Sequence, residues 1–301
     1  MANKVFYFVG VTTGGSSVNQ LFPKWMQVLG RPDVGLKGID HPLDDDPENY
    51  RRTVERIKNE PDCVGALVTT HKLNVVKAAS DLFDWFDPLA ELTHEVSCIA
   101  KRDGKLLGFA KDPISSGKAL RIILGDDYFQ RTGGEVLCLG AGGAAVATLL
   151  HLMLHDDQPS RFMAVDIDQS RLEHAQQIAQ NQQHNIDLVF KRTGSAAEND
   201  ILLAQMPAGS VVINATGMGK DRPGSPLTEQ AVYPHKSVVW EFNYRGPRLF
   251  YHDAMARAED RELTVFDGWD YFVIGWLEVL TEVLQVDFSA DIYERIKAVS
   301  I

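Results

Sequence analysis

The sequence predicts an α/β fold in two domains, the second of Rossmann type. Three observations predict it. Short apolar, β-rich runs alternate with amphipathic stretches along the chain, the pattern of strands joined by crossover helices. A glycine-rich segment, Gly140-Ala141-Gly142-Gly143-Ala144-Ala145, directly follows an apolar run and precedes a helical one. The chain has 301 residues, and at about 150 residues per domain that favours two domains.

The first domain opens on VFYFVGV (5–11), a strand that ends in the loop TTGGSS. A helix is expected over 19–30, stopped by Gly30, and a strand over VGLKGID (34–40). Asp46 and Pro47 read as the N-cap and first residue of a helix running to about residue 59. CVGALVT (63–69) is a buried strand, and the helix after it begins around HKLN. VSCIAKRDGKLLGFA (96–110) reads as two strands around Arg102-Asp103-Gly104. The expectation for this part is a mostly parallel sheet covered by helices.

A helix through 115–124 leads to the second series. EVLCLG, RFMAVDID, DLVFK, SVVINAT, SVVWEF and LTVFDG are its strands, in chain order. Two helical segments, about 269–285 and 290–299, close the chain. The boundary is placed after residue 113, so that 1–113 form one domain and 114–268 the other, with 269–301 packing back on the first.

Composition excludes several classes. With 45% hydrophobic and 24% charged residues, the chain is neither disordered, collagen-like nor a coiled coil. A net charge of −11 argues against nucleic acid or an anionic membrane as partner, since both require clustered Lys and Arg. Cys63, Cys98 and Cys138 sit in apolar runs without a CxxC pair, and read as buried thiols in a reducing compartment. The N-terminus lacks the features of a signal peptide and no stretch of 18 apolar residues exists. A cytoplasmic location is the expectation.

The GxGxxA segment carries specific physics. Gly140 allows the tight turn, Gly142 lets backbone approach a pyrophosphate, and Ala145 permits close helix–strand packing. Gly143 and Ala144 open the helix whose N–H groups face the phosphates. Asp166 ends the next strand at the spacing of the acid that binds ribose hydroxyls. Its charge favours NAD over NADP; Asp168 is the alternative acid, and Arg171 is the residue able to accommodate a phosphate. The strand end Asn214-Ala215-Thr216-Gly217 adds to the same edge, where ligands bind in such sheets.

Catalytic candidates lie at strand ends of the first domain. Thr69-Thr70-His71-Lys72 follows one strand and Lys111-Asp112 another. A lysine beside an aspartate exchanges a proton with a substrate hydroxyl, and His71 competes as base. The acid-rich run Asp40–Glu48 reads as a solvated helix start rather than a metal site. Trp269, Tyr271, Phe272 and Trp276 read as a core-facing helix stripe, with a cleft lining as the alternative.

With these motifs in order, the chain resembles the shikimate/quinate dehydrogenase family over nearly its whole length. The resemblance rests on GVTTGGSS, Val68-Thr69-Thr70-His71-Lys72, Gly108-Phe109-Ala110-Lys111-Asp112, the glycine-rich segment, INATGMG (213–219), Glu241 to Tyr244, and DGWDYFVIGW (267–276). It implies an NAD(P)-dependent dehydrogenase with substrate in a cleft between an N-terminal substrate domain and the Rossmann-type domain. It implies Lys72 and Asp112 as the catalytic pair. For the substrate it implies Ser16, Thr69, Ser97 and Tyr244, and for the cofactor Gly140, Gly142, Gly143, Ala144, Asp166, Asn214, Thr216 and Gly217. It implies no metal, a small anionic substrate, and a monomer or homodimer.

The chain departs from the family pattern at several places. Val18 replaces a second loop serine, and the VT element is one residue shorter and lacks its proline. Ser97 replaces an asparagine, Ala110 and Lys111 replace Asn-Thr, and Gly275 stands where a glutamine is usual. Lost hydrogen-bonding partners change substrate choice, so a different or altered substrate is expected, with Lys111 as an added anion contact. Two rivals remain at this level: a non-catalytic sensor of metabolite or dinucleotide, and a methylene-tetrahydrofolate-type dehydrogenase.

Overall fold

The computed structural model describes residues 3–180, 182–220 and 222–300. The chain divides into two compact units, Met1–Asp112 with Val273–Ile301, and Pro113–Phe272.

Among the described residues, the first unit carries strands β1 (Lys4–Gly10), β2 (Val34–Asp40), β3 (Cys63–Val68), β4 (Trp85–Phe86), β5 (Cys98–Arg102) and β6 (Lys105–Phe109). They form one sheet in the order β2-β1-β3-β5-β6-β4. The first three are parallel, as expected, but β5 runs antiparallel to both β3 and β6. The cause is local. Asp103 and Gly104 both have positive φ, 51° and 75°, so they make the two-residue turn that folds a hairpin rather than a crossover. The reversal decides which residues share an edge. It brings Ser97, before β5, and Asp112, after β6, to the same sheet edge as the carboxyl ends of β1 and β3.

Alternation along β1 sorts its side chains. Tyr7 and Val9 join Tyr50, Val54, Ile57 and Val75 in one core layer. Phe6 and Phe8 face the other way, onto Trp276 at ring distances of 6.2 and 5.0 Å. Trp276 therefore belongs to the core stripe, and it also meets Phe22 and Trp25. Asp46 caps the helix Pro47–Asn59 by accepting from the Glu48 N–H, as its position before proline predicts. The short helix Pro88–Thr93 and the two-residue β4 have no counterpart in the sequence reading.

The second unit carries β7 (Val136–Leu139), β8 (Arg161–Asp166), β9 (Asp187–Arg192), β10 (Val211–Asn214), β11 (Val238–Glu241) and β12 (Thr264–Phe266). All pairs among them are parallel, in the order β12-β11-β10-β7-β8-β9. Numbered within the unit, this is the doubly wound Rossmann order, in which the chain reverses direction beside its first strand. Motif residues stand at the strand ends: Gly140 after β7, Asp166 on β8, Asn214 on β10 and Glu241 on β11. Leu137, Leu139, Val165, Val212 and Val239 form the buried core of the sheet.

Candidate functional site

In the first unit, the edge that collects the strand ends holds the Lys72–Asp112 pair. Lys72 is the first residue of the helix Lys72–Ala79, and Asp112 the first of the helix Asp112–Leu124. Their side chains form a hydrogen-bonded ion pair. Burial holds the Lys72 ammonium below the usual lysine range, with the Glu95 carboxylate pulling the other way.

The shortened loop before Lys72 has a specific geometry. The His71 N–H donates back to the Thr69 carbonyl at 2.5 Å, around Thr70 at φ 59°. This is a γ-turn centred on a β-branched residue in the left-handed region, a rare and strained arrangement. It closes the one-residue gap and starts the helix at Lys72. His71 itself is buried and points into the core. Its Nε2 donates to the His41 carbonyl at 3.0 Å, which leaves Nδ1 to accept from the Tyr50 hydroxyl at 3.0 Å. With both nitrogens engaged and burial lowering its pKa, His71 is a core residue that anchors the turn.

Thr69 is half-buried at the end of β3, and Ser16 half-buried after the 3-10 turn Thr13–Gly15. The Ser16 hydroxyl accepts from the Val18 N–H at 3.4 Å. Ser97 is buried, and its hydroxyl accepts the Lys111 N–H at 2.8 Å. Ser97 thus holds the segment leading into Asp112.

Lys111 corrects an expectation. It does not present a free ammonium. Its Nζ pairs with Glu282, which also takes Arg102. The ammonium lies 5.0 Å from the Phe109 ring centroid. The cations hold the Glu282 carboxyl below its ordinary range despite burial. The sequence shows Lys111 and the distant Glu282 separately, but nothing in their spacing links them.

In the second unit, Gly140 has φ 105°, and a Cβ there would lie 2.7 Å from the Ala215 carbonyl. Two strand-end turns cross at this point, so only glycine fits. Gly142 is different: a Cβ there would meet no protein atom within 4 Å. It is the N-cap of the helix Gly143–Leu154, without a capping side chain. The open space and the unpaired N–H groups of Gly143 and Ala144 together form a cradle for an anion.

Asp166 is aimed by backbone. Its carboxylate accepts from the Ala141 N–H at 2.8 Å and the Asp168 N–H at 3.0 Å. Arg171 lies 4.0 Å from Asp166 and 3.7 Å from Asp168. A cavity of about 320 Å³ opens here, lined by Gly140, Asp166, Arg171, Thr193, Ser195 and Thr216 among others. Sequence reading missed Thr193 and Ser195. The signal was present in Ser195-x-x-Glu198, a capping box whose Ser195 hydroxyl accepts the Glu198 N–H.

Asn214 is fully buried and Glu241 lies beside it on the paired strand. Asn214 Oδ1 accepts from the Thr216 N–H and hydroxyl at 3.1 and 2.7 Å. Gly217 follows with φ 75° and completes the turn. Tyr244, three residues after Glu241, stacks on Phe272 at 4.2 Å and meets Trp269 edge-on at 5.9 Å.

No family model matches the chain. A shikimate dehydrogenase (NADP(+)) of Streptococcus gordonii is 24% identical over 202 residues, 66% of this chain and 65% of that protein. A shikimate dehydrogenase (NADP(+)) of Bacillus cereus is 35% identical over 86 residues, 29% of this chain and 28% of that protein. The chain thus spans less than two thirds of the length of these relatives. Among solved structures, shikimate 5-dehydrogenase from Listeria monocytogenes in complex with shikimate and NAD has a TM-score of 0.74 at 18% identity, covering 99% of this chain and 96% of that one. Quinate dehydrogenase from Corynebacterium glutamicum in complex with NAD has a TM-score of 0.75 at 16% identity, covering 98% and 99%. By sequence the chain is a relative of the shikimate dehydrogenases, and by fold it stands with the shikimate and quinate dehydrogenases.

Proposed function

We propose that the chain is a dehydrogenase that moves hydride reversibly between a nicotinamide dinucleotide and a ring hydroxyl of a carboxylated alicyclic acid. The observation that carries this reading is the half-buried Lys72–Asp112 pair at the strand-end edge of its unit. An ammonium destabilised by burial gives up its proton nearer to neutral pH. Lys72 then takes the proton of the substrate hydroxyl during oxidation and returns it during reduction. Asp112 holds the amine in place and stabilises its charged form.

The residues of the second unit fit the cofactor. The cradle at Gly142, Gly143 and Ala144 suits a pyrophosphate, and the Asp166 carboxylate keeps lone pairs for ribose hydroxyls. Its negative charge opposes a 2′-phosphate, so NAD is preferred although the sequence relatives are named for NADP(+). When bound, the dinucleotide supplies the hydride acceptor or donor. Ser16 and Thr69 hold the substrate.

Ala110 offers no polar side chain, and Lys111 is turned into its own unit by Glu282. A substrate other than shikimate follows, one lacking the hydroxyl that these two positions would bind. The protein is read as a cytoplasmic monomer or homodimer, in keeping with three free, buried cysteines.

The test measures reduction of NAD and of NADP with shikimate, quinate and related hydroxy acids. NAD-linked turnover of at least one, with poor use of shikimate and loss in Lys72→Ala, is the expected result. Ordinary efficiency on shikimate overturns the altered substrate. No turnover by the wild type, with Lys72→Ala indistinguishable in cells, overturns the enzyme reading in favour of a sensor.

A further inference from the structure

We propose that Glu241 is a positioning residue for the dinucleotide turn at 214–218, acting with Asn214 and Asn243 on the carbonyl of Met218. The inference rests on the dinucleotide reading given above and extends it to a group that touches neither cofactor nor substrate.

The geometry is closed and fully buried. Glu241 has no exposed surface at the end of β11. One carboxylate oxygen accepts from Asn214 Nδ2 at 2.9 Å, the other from the Asn243 N–H at 2.8 Å. Each asparagine amide then donates to the same acceptor, the Met218 carbonyl, at 3.3 Å from Asn214 and 2.8 Å from Asn243. Asn214 also holds Thr216, whose hydroxyl accepts the Met218 N–H at 3.1 Å. Both ends of the turn therefore trace back to one carboxylate. Thr216 and Met218 line the cavity beside Asp166, so the shape of that wall depends on Glu241.

A carboxylate suits this position because the neighbours at its two oxygens are N–H donors. Protonation puts a donor on one oxygen, where it faces another donor, and one bond of the staple is lost. Burial raises the Glu241 pKa to about 7, so the change falls within the range in which the protein can be assayed. The bonds from Asn214 and Asn243 oppose that rise, as does the Arg248 guanidinium. Arg248 is itself paired with Asp267 at 2.5 Å. These are the charged groups around the carboxylate.

The experiment titrates NAD into the wild type and into Glu241→Gln, Glu241→Asp and Asn243→Ala from pH 6 to 9, with thermal melting of each. Wild-type affinity is expected to rise through pH 7 and level off. Glu241→Gln is expected to bind at least tenfold more weakly at pH 8 and to show no break near pH 7. Glu241→Asp recovers part of the affinity and the break. Asn243→Ala keeps the carboxylate, weakens binding severalfold and decides the matter if Glu241→Gln does not fold. Variants that fold and bind NAD like the wild type, with the same profile, overturn the inference alone. A wild type that binds neither NAD nor NADP overturns the dehydrogenase reading and this inference with it.

Discussion

Lys111 and Glu282 form an ion pair across 171 residues of sequence, joining the segment that presents Asp112 to the helix Trp269–Leu284. Glu282 is shared with Arg102. Ser97 fixes the Lys111 backbone from a third direction.

Glu282→Ala is expected to cost more stability than Lys111→Met. Removing the carboxylate leaves the buried Lys111 and the half-buried Arg102 unneutralised, whereas removing Lys111 leaves Arg102 on Glu282. A buried pair broken on one side costs about 3–5 kcal/mol, and partial exposure brings both values below that range, with Glu282→Ala larger by about 1 kcal/mol or more. Urea denaturation measures the difference. An unchanged unfolding midpoint in Lys111→Met, together with a raised KM, would place Lys111 on the substrate instead.

Lys72→Met and Asp112→Asn are expected to lower kcat by about 10²- to 10⁴-fold, the usual worth of positioned acid–base catalysis. NAD binding, carried by the other unit, should change by less than about threefold, a difference of roughly 0.65 kcal/mol. Steady-state rates and NAD titration together check this. Equal losses of rate and of NAD affinity would show that the pair supports folding rather than proton transfer.

Gly140→Ala and Gly142→Ala separate structure from ligand. At Gly140 the added methyl meets the Ala215 carbonyl at positive φ, and a cost of about 1–3 kcal/mol in stability is expected. At Gly142 the methyl meets only open space, so the melting temperature should hold while NAD binding weakens by about tenfold or more, about 1.4 kcal/mol. If Gly142→Ala binds NAD normally, the phosphates do not lie against that residue.

Two groups shifted by burial give the second unit opposed pH dependences. Burial lowers the His151 imidazole from 6.5 to about 4. Between those values the unfolded chain binds the extra proton, so stability falls as pH falls through the window, by roughly 3 kcal/mol at most. Glu241 is raised from 4.5 to about 7. There the folded chain holds the extra proton, so stability is lost as pH rises through that window. The slopes oppose each other between pH 5 and 6.5. His151→Gln should unmask the second one, with unfolding free energy declining from pH 5 to 7 relative to wild type. Identical slopes for variant and wild type would remove His151 from the balance.

Much of the fold was legible because its signals are local. The six strands of the second unit and its GxGxxA turn follow from periodicity and glycine spacing, and the two closing helices from their apolar faces. The mostly parallel sheet expected for residues 1–112 is seen in three of its five strand pairs, and β5 is the antiparallel member. Asp103-Gly104 is a hairpin signal, and the two strands read around it are β5 and β6. Lys72 and Asp112 were visible as residue types after strands. Their pairing came from motif order, since the pairing of β3 with β5 that brings them together is a long-range fact. Lys111 was misread because its partner is distant, and composition does not say which cation is already neutralised. Glu241 was seen only as part of a motif. Nothing in a single sequence marks a carboxylate as having no exposed surface.

The Asp103-Gly104 hairpin also divides the first sheet into a working edge and a spare one. Loops at the far edge, Gly30 to Asp33, Glu60 to Asp62 and the hairpin turn itself, hold none of the residues discussed for chemistry. Asp103 and Gly104 are exposed, and a Cβ at Gly104 would touch nothing. Such loop tips tolerate inserted sequence. A peptide tag or fluorophore graft placed there would leave the Lys72–Asp112 pair in register, and makes this turn the natural attachment point for a reporter.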